Sequence, residues 1–194
     1  MNPKYRFESE NHTHHIGDLR VPGTSELFKS LGLIDDTWFN ESARIRGIAV
    51  HAACQFLAEG DLDWKTVDPV IVDYVRAYEK LIKDTGFVAK ECEKHVWSDL
   101  YNVATIIDQV GTIKQEEGII ELKTGKIQPY HSIQTAIQAM LRWPDGYLTK
   151  FRTVAELHSD GTYRLGWFTD TNDFDVARAM IAVYWHKRKN KIKE

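Results

Sequence analysis

An aspartate stands inside a run that reads as a β-strand, and that placement constrains the chain more than any other feature. The run is Ala104-Thr105-Ile106-Ile107-Asp108-Gln109-Val110-Gly111, aliphatic and β-branched on both sides of the acid. A carboxylate in such surroundings is costly unless it is paired, hydrogen-bonded or metal-bound. Glu121-Leu122-Lys123 follows after a short connection, so the two strands are expected to pair antiparallel. Residues i and i+2 of a strand share a face, so Glu121 and Lys123 point one way and Leu122 points into the opposite core. Asp108 on the partner strand then comes within reach of Glu121. Two carboxylates that close repel, which raises the pKa of one of them, and a divalent cation removes the conflict. Hard oxygen ligands select Mg²⁺ or Mn²⁺. A neighbouring lysine orients a water or helps to deprotonate it, and stabilises charge developing on a phosphate. The set suits metal-assisted hydrolysis of a phosphodiester. Spacing alone equally allows a Glu121–Lys123 surface ion pair with Asp108 satisfied by turn amides.

The flanking patterns place this pair in an order of elements. Residues 5–21 are polar with His12, His14 and His15, and read as a short hairpin or arm whose histidines lie on the surface. A turn at Pro22-Gly23-Thr24-Ser25 leads into a short helix through Leu27, Phe28 and Leu31, stopped by Gly32. Asn40 or Ser42 opens a helix to about Gly60, with Ile45, Ile48, Ala49, Ala52 and Phe56 as the expected buried stripe. Arg44, Ile48, His51 and Gln55 line one flank, which sets His51 at the border of core and solvent. A further helix is expected from Asp68-Pro69 to Gly86, inward through Ile71, Tyr74, Val75, Tyr78, Leu81 and Ile82. The period then changes to two. Strands are expected at 87–97, 101–113 and 118–123, a helix from Pro129 with Ile133, Ile137, Met140 and Leu141 inward, and a strand pair around Ser159-Asp160-Gly161. A last helix follows Asp170–Asn172, with Phe174, Ala177, Ile181 and Tyr184 inward. The fold class is α/β in the α+β sense, a central mixed sheet flanked by helices.

Length and composition narrow the function. The 194 residues fit one domain over 1–194, with 1–40 as arm and short helix and 186–194 as a basic tail. Hydrophobic residues are 43% and charged residues 27%, which excludes a disordered, collagen-like or disulfide-scaffold chain. The formal charge is −3, but the tail holds Lys187, Arg188, Lys189, Lys191 and Lys193, so the remainder carries 20 basic against 27 acidic residues, a net of −7. Such a body either binds metal ions or uses its tail on a polyanion, and the tail alone equally reads as a solvated helix end. Cys54 and Cys92 are too few for a zinc site of their own or an iron–sulfur cluster. No apolar run reaches a membrane span and no signal region is visible, so an intracellular, cytoplasmic setting is expected.

Four motifs in order resemble one family. Arg46-Gly47-Ile48-Ala49-Val50-His51 is similar to a helical G-x-x-x-H motif. Ile107-Asp108-Gln109-Val110-Gly111 is similar to the strand that carries a metal-binding aspartate. Glu121-Leu122-Lys123-Thr124-Gly125 is similar to an E-x-K motif, and His131-Ser132-Ile133-Gln134 to the start of a Q-x-x-x-Y helix. Together they resemble the PD-(D/E)XK nuclease superfamily, in its RecB-like branch with CRISPR-associated exonucleases and phage or prophage members. The resemblance spans roughly residues 20–170. It implies a restriction-endonuclease-like core with the metal site at a fork of the central sheet. His51, Asp108, Glu121 and the Leu122 carbonyl would hold Mg²⁺ or Mn²⁺, without an iron–sulfur cluster. Asp108, Glu121, Lys123 and Gln134 would be catalytic, with Gln134 orienting Lys123 or a DNA phosphate. Arg44, Arg46, Lys126, Tyr130, His131 and Gln134 would bind substrate. The implied activity is that of a metal-dependent DNA exonuclease in phage recombination, replication or repair, inside a bacterial host. Partners would be DNA ends and recombination or single-strand-binding proteins, with no membrane, and an oligomer is compatible with the family.

The family's tyrosine four residues after Gln134 is Gln138 here. That departure is the support for a rival reading, a nuclease fold acting as a DNA- or partner-binding subunit. Glu91 and Glu93 alternate with Cys92 and read first as exposed strand acids, with the alternative that one of them approaches the site. Among Trp38, Phe39, Trp97, Tyr101, Trp143 and Trp185, one or two are expected to stack on bases and the rest to be core.

Overall fold

The structure, a computed structural model, describes residues 4–34 and 40–192. The N-terminal segment folds as more than a hairpin. Strands β1 (Tyr5–Glu8), β2 (Thr13–Ile16) and β3 (Leu19–Val21) form an antiparallel three-stranded sheet. Helix α1 (Thr24–Ser30) follows, and Gly32 beyond it takes the left-handed conformation that ends a helix. Helix α2 (Glu41–Glu59) starts where Asn40 accepts a hydrogen bond from the Ala43 N–H and stops at left-handed Gly60. Helix α3 (Val72–Thr85) begins later than the Asp68-Pro69 signal suggests. The Asp68 carboxylate and carbonyl accept from Val70 and Ile71 N–H groups and form a turn ahead of the helix.

The main sheet comprises β4 (Val88–Ser98), β5 (Val103–Ile113), β6 (Glu116–Lys123), β7 (Phe151–Leu157) and β8 (Tyr163–Trp167), paired in that order. Lys114 and Gln115 join β5 to β6 with φ of 48° and 73°, the geometry of a tight two-residue hairpin turn. Helix α4 (Tyr130–Arg142) is the crossover that makes β6 and β7 parallel; the other neighbours are antiparallel. Helix α5 (Asn172–Lys189) closes the fold. Helices α1, α4 and α5 cover one face of the sheet over Val103, Ile107, Val110 and Ile119. Helices α2 and α3 cover the other over Ile120, Leu122, Ala155 and Leu157. The alternation Ile119, Ile120, Glu121, Leu122 thus feeds both cores, each buried aliphatic side chain contributing about 1.5–3 kcal/mol.

Two features position the site. The β5–β6 ladder runs from Ile113↔Glu116 to Gln109↔Ile120. Beyond it β5 continues with β4 to Val103↔Ser98, and β6 continues with β7 to Lys123↔Glu156. The sheet forks there, and Asp108 and Glu121 stand at the fork. The second feature overturns an expectation. Helix α2 buries Val50, Ala53 and Cys54, whereas Ile45, Ile48 and Phe56 of the expected buried stripe are exposed. The side toward α3 is filled by small residues, and the larger apolar residues on the other side stay more than half exposed.

Candidate metal centre

At the fork the Asp108 carboxylate takes over a lost ladder position. Its Oδ2 accepts the Leu122 N–H at 2.7 Å, and its Oδ1 lies 3.4 Å from His51 Nδ1 on α2. Glu93 of β4 falls between the pairs Cys92↔Gln109 and Lys94↔Ile107, opposite Asp108. Its φ of 46° is uncommon for a side-chain-bearing residue. His51, Glu93 and Asp108 each offer one ligand atom, all within 4.8 Å of one another. An imidazole nitrogen with two carboxylate oxygens fits a divalent cation that accepts mixed N/O ligands. Asp108 and Glu93 reach it from adjacent strands, which costs repulsion without a cation. Accordingly, burial and the nearby Asp108 charge raise the Glu93 pKa. Burial opposes ionisation of Asp108 too, but the His51 ring, its hydrogen bond, Lys123 and the Leu122 amide outweigh burial and hold its pKa down.

Glu121 lines the same cavity but engages different partners. Its Oε1 accepts from Gln134 Nε2 at 2.7 Å and from Lys123 Nζ at 3.2 Å, and its Oε2 accepts from Gln138 Nε2 at 2.7 Å. Burial, followed by the Asp108 charge, raises its pKa against the pull of Lys123 and Gln138. Burial works against the Lys123 charge, but Glu121 and Asp108 more than compensate and keep the ammonium protonated. Gln138 also donates to the Ile106 carbonyl at 3.1 Å, which ties α4 to β5.

These groups open into a cavity of about 440 Å³. One wall is α2, through Ile48, His51, Ala52 and Gln55; the opposite wall is the N-terminal sheet and α1, through His12, His14, Thr24 and Ser25. His14, expected on the surface, is buried, and burial with the nearby His12 and His95 lowers its pKa to about 4. Tyr5 Oη bridges His14 Nδ1 at 2.8 Å and His95 Nδ1 at 2.9 Å, which fastens the small sheet to β4.

The remaining sequence candidates lie outside this cavity lining. Arg44 is exposed and paired with Glu41. Arg46 sits 5.6 Å over the Tyr74 ring, and its buried Nε has no partner among the described residues. Lys126 lines a second cavity with Thr124, Glu156 and His158. His131 is buried, accepts the Gln128 N–H at Nδ1, and burial lowers its pKa to about 4, so it is a neutral acceptor that holds the turn ahead of α4. Tyr130 packs on Phe28 and His131. Leu122 contributes its N–H to Asp108. Trp97 stacks on Tyr5, Trp185 donates to the Tyr101 carbonyl, and Tyr101, Trp143 and Trp185 pack against the core. Trp38 and Phe39 fall outside the described residues. In the tail Lys187 donates to the Ser30 carbonyl and Arg188 to Tyr184 Oη, while Lys193 also falls outside the described residues.

Sequence reasoning missed Gln138 and His14, and offered Glu93 only as the lesser alternative that one of Glu91 and Glu93 approaches the site. A signal existed for Gln138, which lies one turn beyond Gln134 and so shares its helix face. For Glu93 the alternation with Cys92 named two faces without telling which one meets Asp108.

No family model matches the chain, and no curated protein matches it. Among solved structures, the chain is similar to an alkaline exonuclease from Laribacter hongkongensis, with 14% identity over 89% of each chain and a TM-score of 0.50. A putative exonuclease from Eubacterium rectale aligns with 15% identity over 87% of this chain and 74% of that one, at a TM-score of 0.49. The fold, a five-stranded mixed sheet with helices on both faces, is shared with the Laribacter enzyme.

Proposed function

We propose that this chain is a divalent-metal-dependent DNA nuclease acting as an exonuclease, of the RecB-like PD-(D/E)XK type found in phage recombination and repair. The observation that carries the reading is the meeting of His51, Glu93 and Asp108 within 4.8 Å at a fork whose other lip presents Glu121 and Lys123. The Laribacter exonuclease shares this fold, which supports the same direction. His51, Glu93 and Asp108 would hold Mg²⁺ or Mn²⁺, with Glu121 and the Leu122 carbonyl as further ligands of the family pattern. A bound divalent cation there makes a water nucleophilic near neutral pH and draws charge from a scissile phosphate. The chain's own residues do the rest. Lys123 keeps its proton and stabilises charge on the phosphate oxygens from Nζ. Glu121 holds that ammonium, and Gln134 and Gln138 fix both carboxylate oxygens of Glu121, so the lysine is positioned before substrate arrives. Arg44, Arg46 and Lys126 are candidate phosphate contacts outside the cavity.

The test is degradation of end-labelled DNA with Mg²⁺ or Mn²⁺, with Glu121→Ala and Lys123→Ala beside the wild type. Loss of about a hundredfold or more in each variant is expected; undiminished cleavage by both sinks the reading. Progressive shortening of linear DNA with intact circular DNA identifies the exonuclease mode. Gln138, at the tyrosine position, makes a buried bond to Glu121; the rival binding-subunit reading expects no metal-dependent cleavage in the same assay. An intact site also predicts a rise in melting temperature with Mn²⁺.

A further inference from the structure

The metal centre and Lys123 leave the histidines of the N-terminal sheet unused. His12 closes the loop between β1 and β2 with a φ of 50°, a left-handed backbone that few side-chain-bearing residues take. Its ring stands edge-on to Phe7, with centroids 5.0 Å apart and planes at 90°. Phe7 also packs on His14 and on His95 of β4, each at 5.0 Å, so the tip of the hairpin is anchored to the main sheet. His12 and His14 both line the metal cavity, on the wall opposite α2. His14 is buried with its Nδ1 bonded to Tyr5 Oη, whereas His12 is exposed.

We propose that His12 is a catalytic acid of this site, giving a proton to the oxygen that departs from the scissile phosphate. The proposal rests on the nuclease reading of the same cavity. In an in-line displacement the attacking water and the departing oxygen lie on opposite sides of phosphorus. With the water on the side of Asp108, Glu93 and Lys123, the departing oxygen points to the far wall, made of His12, His14, Thr24, Ser25 and Glu26. Thr24 and Ser25 hydroxyls are not among the side chains that serve as acids near neutral pH. Both oxygens of Glu26 are occupied, by Arg20 and by Tyr184. Burial first, and then the His12 charge, lowers the pKa of His14 and of His95, so both stay neutral. His12 is thus the imidazole of the cluster free to take up a proton. In the step, the water oxygen bonds to phosphorus and sheds a proton to solvent. The bridging P–O bond breaks with its electrons going to oxygen, and that oxygen takes the proton from a ring nitrogen of His12. Solvent then returns a proton to the exposed ring.

The experiment compares wild type with His12→Asn, since asparagine tolerates the same left-handed backbone and forms hydrogen bonds but does not pass a proton on. Cleavage with Mn²⁺ is measured on DNA with an ordinary scissile linkage. It is repeated on DNA with sulfur in place of the bridging oxygen that the products identify as the leaving atom, because a thiolate departs without a proton. On the ordinary linkage kcat is expected to fall about a hundredfold, with KM, and the Kd measured by anisotropy in Ca²⁺, within about twofold. On the sulfur linkage the variant is expected to match wild type within about threefold. An equal loss on both linkages makes His12 a binding or structural residue and overturns the proposal, as does an unchanged kcat on the ordinary one. His12→Gly keeps the test decisive if asparagine disturbs the hairpin. Imidazole in solution should raise its kcat about tenfold on the ordinary linkage and not on the sulfur one, and no such difference overturns the proposal. A wild type that cleaves neither linkage with metal overturns the nuclease reading itself.

Discussion

Gln134 and Gln138, one turn apart on α4, end on the two oxygens of one buried carboxylate, Glu121. Gln138→Leu removes donors from both Glu121 and the Ile106 carbonyl. Leaving the buried Glu121 Oε2 unpaired, and the Ile106 carbonyl with only the 3.4 Å bond from Thr105 Oγ1, is expected to cost about 1–3 kcal/mol, read as a lower urea midpoint with an unchanged m-value. Glu93→Gln keeps the shape but removes a ligand charge, and Mn²⁺ affinity by titration calorimetry is expected to fall about tenfold or more. Wild-type affinity in that variant excludes Glu93 from the centre. Asp108 was legible in the sequence because an acid in an aliphatic strand demands a partner. Glu93 was legible only as one of two strand acids, either of which could approach the site, since the choice depends on the β4–β5 register and on a left-handed backbone at one residue. Neither is written in local periodicity.

Among the elements, the strands of the main sheet and the inward faces of α3 and α4 followed from period, and α5 turned Phe174, Ala177, Ile181 and Tyr184 inward although Val176 and Val183 remain exposed. Helix α2 has apolar residues on two sides, Val50, Ala53 and Cys54 against Ile45, Ile48 and Phe56. Periodicity finds such faces but does not say which one tertiary packing covers, and the smaller face won. The N-terminal sheet carries a pH dependence of definite sign. Burial holds the folded His14 pKa near 4, below the ordinary 6.5 of the unfolded chain. Its stabilising contribution is complete above pH 6.5 and is lost as pH falls toward 4, because the unfolded chain takes up the proton first. Thermal melts should show an acid-side loss of about 2–3 kcal/mol from this group, smaller in His14→Gln. Arg152 on β7 ties two helices together: it donates to the Ser132 and Asp170 carbonyls and pairs with Asp173 at 2.9 Å while almost fully buried. Arg152→Ala leaves these acceptors and a carboxylate unpaired, and chemical denaturation should register about 3–5 kcal/mol.

For the whole molecule, the basic end of α5 has a structural duty as well as a charge. Lys187 docks on α1 through the Ser30 carbonyl at 2.8 Å. Truncation after Trp185 is therefore expected to lower the melting temperature by about 2–4 °C in calorimetry, independently of any change in the salt dependence of DNA binding. The forked sheet joins its two halves at the cavity end through side chains, where a ladder would use backbone. The Leu122 amide is bonded to the Asp108 carboxylate, so its protection from hydrogen exchange depends on a residue that the proposed chemistry also needs. Removing that side chain loosens the seam of the sheet at the same time as it empties the centre, and a dead Asp108→Ala protein reports on both. Asp108→Asn keeps an acceptor for the amide, and a slow-exchanging Leu122 in that variant would mark a protein altered in chemistry alone.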